Sequence, residues 1–310
     1  MKRLIIGCIT SLLYFHFSNA QIFSADYNDN TITIFSNKGK MIKKIKVSHG
    51  PREFLFIKDK NLLLVSCDIG NRIDIVDVQY LKKIDSVQIK TSPRSMVYNK
   101  FTDEIYVVCK ENNRIGIFRI SSPQHINYLT TNKGPRSLAI SFEKDILAIS
   151  CNTEGYIDLY LSSKKKIISI KTPANPYDIT FLRNNLLVGI SISENKLFGI
   201  DINKKNIVFE CEIEKHPTSV KETPTDSLLI VTNFDENKFQ LFDINKQEIT
   251  GNVKTGKEPF QIAVDKSTGK IFVTNHGDDT INIYSSNYKK EGTINTGKNP
   301  HGIQVIDSSK

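Results

Sequence analysis

The chain has 310 residues, with 42 Lys and Arg against 33 Asp and Glu for a net charge of +9, and 39% of its residues are hydrophobic. Beyond residue 20 no apolar run approaches the roughly 20 residues that a membrane helix needs, and no Pro/Gly/Ser-rich linker or low-complexity tract divides the sequence, which excludes a helical membrane protein and a string of linked modules. The basic balance favours anionic partners such as nucleic acid, acidic glycans or lipid headgroups, although lysines spread through a sequence rich in Lys, Asn and Ile also serve plain solubility.

The first element is Met1-Lys2-Arg3, followed by an apolar run from Leu4 to Phe17 and then Ser18-Asn19-Ala20. A basic start, a short apolar core and small residues three and one places before Gln21 form a secretory signal peptide over residues 1–20, cleaved after Ala20. The run is too short to span a bilayer as a mature helix. The mature chain, residues 21–310, is expected to be a soluble single domain in the periplasm or outside the cell.

From there the sequence repeats. Pro51, Pro93, Pro135, Pro176, Pro217, Pro259 and Pro300 fall 41 or 42 residues apart, and a strand-rich repeat of that length is the signature of a β-propeller blade. The first unit contains four runs rich in Ile, Val and Leu, predicted as strands A (Arg52 to Ile57), B (Leu62 to Cys67), C (Arg72 to Val78) and D (Lys83 to Ile89). Ahead of strand C stand Asn30, Asn71, Asn113, Gly155, Asn195 and Asn237, residues that tolerate the positive φ of tight hairpins. Nothing in the pattern is helical.

Six units are complete. The seventh is split: Pro300 opens only a strand A (His301 to Ile306), while the N-terminal segment supplies B (Ile22 to Asp26), C (Thr31 to Phe35) and D (Lys43 to Val47). Joined in one sheet, the two ends close a ring and remove the free edges of an open array. The fold class is therefore all-β, a monomeric seven-bladed propeller of four-stranded blades.

Cys67, Cys109 and Cys151 recur 42 residues apart. Equivalent positions in neighbouring blades lie on sheets about 10 Å apart, too far for a disulfide, which needs Cα atoms within about 7 Å, and too far to share one metal ion. They are expected to be small buried residues, with Cys211 a lone thiol on an outer strand.

Leu229-Ile230-Val231-Thr232-Asn233 and Ile271-Phe272-Val273-Thr274-Asn275, each followed by a turn and a second apolar strand, resemble the YVTN-repeat β-propeller family, with its periplasmic YncE-like members and its likeness to WD40 repeats. The resemblance covers the whole mature chain. It implies the fold but no single activity, since similar repeats occur in cell-surface proteins, lactonases and antibiotic-inactivating lyases. Blades one to four depart from the pattern, with Cys67, Cys109, Cys151 and Ser191 in place of the Asn, and blade seven has Asp26; a small polar residue is expected to play the same local part. Asp77, Asp201 and Asp243, at the end of strand C, read as turn-capping residues.

In propellers similar to this one the D-to-A and B-to-C connections share a face, strand A lines the channel, and ligands bind at the mouth; loops on a rigid scaffold carry binding residues. The residues after the prolines are Arg52, Arg94, Arg136, Tyr177, Thr218, Phe260 and His301. Three arginines from consecutive blades, with Arg72, Lys110 and Arg114 in nearby turns, suit a planar or phosphate-like anion, because a guanidinium donates a two-pronged fork. The alternative is that each arginine pairs with an acid such as Asp68 or Glu111. Gly70 and Asn112 occupy a turn position filled elsewhere by Glu154, Glu194, Glu236, Asp278 and Asp29, so the face should be basic over blades one and two and more acidic around the rest. Tyr177 and Phe260 are candidates for stacking single-stranded nucleic acid, and equally for ordinary packing.

His49, His276 and His301, from neighbouring blades, with Asp278 and Asp279, are weak candidates for a catalytic or metal-binding cluster, or else are solvated loop residues. No HExxH, CxxC, GxSxG or phosphate loop is present, and no metal or cofactor is expected. Glu222 stands where other blades have apolar strand A residues and should line the far end of the channel. The sequence thus points to an exported binding or scaffolding module for a protein, glycan or anionic partner. The alternatives are a lactonase- or lyase-type enzyme and a binder of single-stranded nucleic acid, the last less natural for an exported chain.

Overall fold

A computed structural model describes residues 20–223 and 227–307. The expected signal peptide, Ala20 apart, lies outside the described residues. These residues form seven four-stranded antiparallel sheets. Blade one consists of Pro51–Ile57, Leu62–Cys67, Arg72–Asp77 and Lys82–Gln88, within a residue of the predicted bounds. Blade seven is the composite: Pro300–Ile306 pairs with Gln21–Asp26, which pairs with Thr31–Ser36 and then Met41–Lys46. The closing register sets Phe23 against Gln304 on one side and Ile34 on the other.

Strands A of adjacent blades touch around the whole ring, so they form its inner wall, and strands D form its exposed rim. One cluster of buried apolar side chains fills each gap between neighbouring blades: Phe23, Ile34, Leu63 and Val65 between seven and one, for example, and Ile230, Phe239, Val273 and Tyr284 between five and six. The core is therefore distributed as seven wedges, and each blade is stable only against its neighbours. Two one-turn 3₁₀ segments, Lys58–Lys60 and Lys110–Asn112, interrupt the all-strand expectation.

The turn ahead of strand C is left-handed at Asn30, Asn71, Asn113, Gly155, Asn195, Asn237 and Asp279. The asparagines have a second task. Asn30, Asn113, Asn195 and Asn237 accept, through Oδ1, the N–H of Gly50, Gly134, His216 and Glu258 at 2.9–3.0 Å, and Asp279 accepts that of Asn299 at 2.8 Å. Each donor precedes the proline of the next blade, so the repeated asparagine ties one blade to the start of the following one. Asp77, Asp201 and Asp243 each take two N–H donors from the turn they begin. Cys67, Cys109 and Cys151 are buried free thiols, and Cys211 is partly exposed.

Candidate functional site

The D-to-A and B-to-C connections meet on one face, where Asp68 N donates to Gly50 O, Gly70 N to His49 O and Phe234 N to His216 O. Beneath them a strand B hydroxyl fixes the first residues of strand A. Thr274 Oγ1 accepts from Gln261 N at 2.9 Å and donates to His301 O at 3.1 Å in the next blade; Thr232 Oγ1 donates to Phe260 O at 3.2 Å. The residues after the prolines are thereby held at fixed places around the channel mouth. Gly302 permits a close approach there, since a Cβ on it would lie 2.5 Å from Arg52 O.

The three arginines converge, two of them on a single acid. Arg52 Nη1 lies 3.3 Å and Arg94 Nη2 3.6 Å from the same oxygen of buried Asp68, whereas Arg136 reaches past blade two to Glu53 of blade one at 2.8 Å. The guanidinium of Arg136 also sits 4.2 Å from the centre of the Tyr177 ring. Burial and the charges of Arg52 and Arg136 lower the Arg94 pKa to about 10; burial and the three arginines lower that of Lys110 as well. Burial opposes ionisation of Tyr177, yet Arg136 and Arg52 bring its pKa below that of an ordinary phenol. Four cations, Arg52, Arg94, Arg136 and Lys110, thus share two carboxylates, Asp68 and Glu53. Arg52 Nε, Arg94 Nε and His301 Nδ1 are buried without a hydrogen-bond partner among the described residues, a costly arrangement for polar atoms.

The other half of the mouth is aromatic. His301 lies 4.6 Å from Tyr27 in a tilted contact and meets Phe260 and His276 edge-on at 4.3 and 4.9 Å, and Phe234 joins His276 to His216. Arg52 lies about 6 Å from both the Tyr27 and Phe260 rings. Burial, Arg52 and His276 hold the His301 pKa well below 6.5, so its imidazole is neutral at neutral pH. His276 Nδ1 faces Glu258 at 3.2 Å.

The predicted residues thus divide. Arg52, Arg94, Arg136, Tyr177, Phe260, His276 and His301 come together at the mouth. Phe260 is only 7% exposed, whereas Tyr177, against which Arg136 packs, is partly exposed, as are the further mouth rings Tyr27, Phe234 and His276. His49 and Arg72 line a separate groove with Lys46, Ser48 and Lys83, and Arg114 is exposed against Tyr128. Among the described residues no three His, Cys, Asp or Glu side chains are grouped as a metal site requires. The turn acids of the remaining rim also brace the loops: Glu154, Glu194, Asp278 and Asp29 accept the N–H of Lys133, Ala174, Lys257 and Lys298, and Glu194, Asp278 and Asp29 stay exposed.

No protein-family model matches the chain, and no curated protein matches its sequence. Solved structures do match in shape. A functionally unknown protein from Desulfotomaculum acetoxidans superposes with a TM-score of 0.80 at 12% identity, over 93% of this chain and 99% of that one. Kuenenia stuttgartiensis hydrazine synthase gives 0.74 at 14% identity over 83% and 95% of the two chains, and Citrobacter koseri AztD gives 0.73 at 14% over 93% and 98%. These likenesses establish the fold alone. The chain is a seven-bladed β-propeller, and what it binds must be argued from its own side chains.

Proposed function

We propose that this protein is an exported binding module whose loop-rich face captures an acidic group, a phosphate, sulfate or carboxylate, on its ligand or partner. The observation that carries the reading is the shared acid: Arg52 and Arg94 lean on one carboxylate, burial and the charges of Arg52 and Arg136 depress the Arg94 pKa, and burial and the same three arginines depress that of Lys110. An anion supplied from outside relieves that repulsion and accepts hydrogen bonds from guanidinium groups already fixed in place, which reduces the ordering cost of binding. The secretion-type start of the sequence supports placing the module outside the cytoplasm. The His49 part of a hydrolytic cluster finds no support, because His49 lines another groove.

The test is titration calorimetry with inorganic phosphate, sulfate and a sulfated oligosaccharide at low salt, comparing wild type with an Arg94→Ala/Lys110→Ala variant. Saturable binding weakened at least tenfold in the variant, and falling with salt, is the expected result. Absence of saturable binding, or identical affinities in both proteins, would remove the reading.

A further inference from the structure

The Arg136–Glu53 bridge spans from blade three to blade one, so the channel is obstructed at its loop-rich end. Below that bridge lies a cavity of about 460 Å³ whose lining runs from Glu53 to Glu222 and Lys266. Lys221, Glu222 and Lys266 also border a second hollow, of about 430 Å³, formed with the A-to-B turn residues Phe142, Arg183 and Asn185. The lumen is therefore a cup that opens on the face opposite the arginine mouth.

We propose that this cup is a second binding site, and that it takes a small carboxylate with an apolar body. The walls are unlike. Blades seven, one, two and three contribute Val305, Phe54, Val97 and Ile140, with Glu53, held by Arg136, at the loop-rich end; blades four to six add Ile179, Phe181 and Val264 together with the charges Asp178, Lys221, Glu222 and Lys266. Most of those charges are already matched. Asp178 accepts from Ser137 Oγ, Ser219 Oγ and Val220 N and lies 3.6 Å from Lys221 Nζ; Glu222 faces Arg183 at 3.8 Å. Lys266 makes no ion pair or side-chain hydrogen bond among the described residues, so one positive charge at the opening is left for a ligand.

The lip of the cup continues the same chemistry outward. Phe142 at the opening packs edge-on against Phe101, 5.6 Å apart, and Lys100 Nζ lies 5.1 and 5.2 Å from the two ring centres. Phe101 is 72% exposed and Phe142 40%. Large aromatics held together in solvent beside a cavity mark a contact surface for apolar matter, and a lysine over them favours an anionic head over a cationic one.

Octanoate is the probe, with octylamine and octanol as charge controls of the same length, titrated into the purified chain below micellar concentration. Saturable octanoate binding is expected, weakened about tenfold in Lys266→Gln by loss of a charge-assisted contact, unchanged in Arg94→Ala, and absent for octylamine. Lys266 is a surface residue, so its replacement leaves the fold intact. Octylamine binding as tightly as octanoate, indifference to Lys266→Gln, or no saturable binding of octanoate overturns the proposal. Loss of octanoate binding in Arg94→Ala rather than Lys266→Gln also overturns it, by moving the ligand to the arginine mouth.

Discussion

Blades one and three anchor their incoming loops with a carboxylate, whereas blades five and six use carboxamides. In blade one, Asp74 on strand C accepts from Ser48 N at 2.6 Å and Ser48 Oγ at 2.9 Å; in blade three, Asp158 takes Asn132 N, Asn132 Nδ2 and Ser169 Oγ at 2.7–3.0 Å. Both are fully buried, and each is met by one lysine, Lys83 or Lys166. In blade five the work is divided: Gln240 Oε1 accepts Glu214 N while Asn233 Nδ2 donates to Glu214 O. In blade six Asn275 Oδ1 accepts Gly256 N. The carboxylate blades carry Cys67 and Cys151 where the others carry asparagine. Burial and the neighbouring aspartates raise the pKa of both thiols, so they stay neutral. The same loop is tied down either from strand B or from strand C, and the repeat tolerates the exchange because the bonded backbone groups stay the same.

The sharpest way to break this comparison is to remove one anchor of each kind. Asp158→Ala strips four donors of their shared acceptor inside the protein, and the expected cost is about 3 kcal/mol. Gln240→Ala removes one neutral hydrogen bond and should cost about 1 kcal/mol. Urea unfolding of the two variants checks the difference, and equal losses would show that the two kinds of anchor are energetically equivalent.

A second contrast lies between blade five, whose turn residue Asn237 caps Glu258 N, and blade three, whose Gly155 has no side chain with which to cap. Asn237→Ala combines a left-handed alanine with the lost cap and is expected to cost about 1–2 kcal/mol, while Asn237→Gly loses only the cap and should cost roughly half as much. Thermal unfolding of both variants would reveal a purely conformational role for Asn237 if the glycine variant matched wild type.

The ring was legible in the sequence because its cause is periodic. Seven prolines, the alternating apolar runs and the turn asparagines recur at one spacing, and Ile22 to Asp26 completes what Pro300 begins. The mouth was legible only in part. Position after the proline correctly gathered Arg52, Arg94 and Arg136, but which acid each would meet depends on side chains crossing between blades, as Arg136 does to reach Glu53. Tyr27 and Phe234 were missed although they share with His276 the first position after strand B, because that position carries Asp68, Lys110, Asn152 and Ile192 in the other blades and so shows no aromatic consensus. Asp74 and Asp158 were missed because a strand C acid between apolar neighbours reads as an outward-facing residue; a clue was available in their pairing with Cys67 and Cys151. What the spacing could not show of the turn acids is their second task, accepting an N–H within the neighbouring D-to-A connection.

Asp26 offers the finest test of the anchor comparison, because blade seven carries a carboxylate at the strand B position where blades five and six carry asparagine. It is fully buried, receives Ser24 Oγ at 2.8 Å, Thr31 Oγ1 at 3.1 Å and Thr33 Oγ1, and stands in the strand that closes the ring against Pro300. Burial raises its pKa despite those bonds. A carboxyl group whose folded pKa lies above its unfolded value contributes stability below the unfolded pKa and loses that contribution as pH rises through the folded pKa. At neutral pH the ionised form is therefore a cost that Asp26→Asn removes. The variant should be more stable than wild type at pH 7, by no more than about 1 kcal/mol because the amide forfeits some of the three hydroxyl donors, and the gain should shrink as pH approaches about 4 and wild-type Asp26 takes up its proton. Urea unfolding at the two pH values measures it. A variant less stable than wild type at pH 7, with the deficit vanishing in acid, would show instead that the three hydroxyls over-compensate burial, and that this blade, like one and three, depends on a charged anchor.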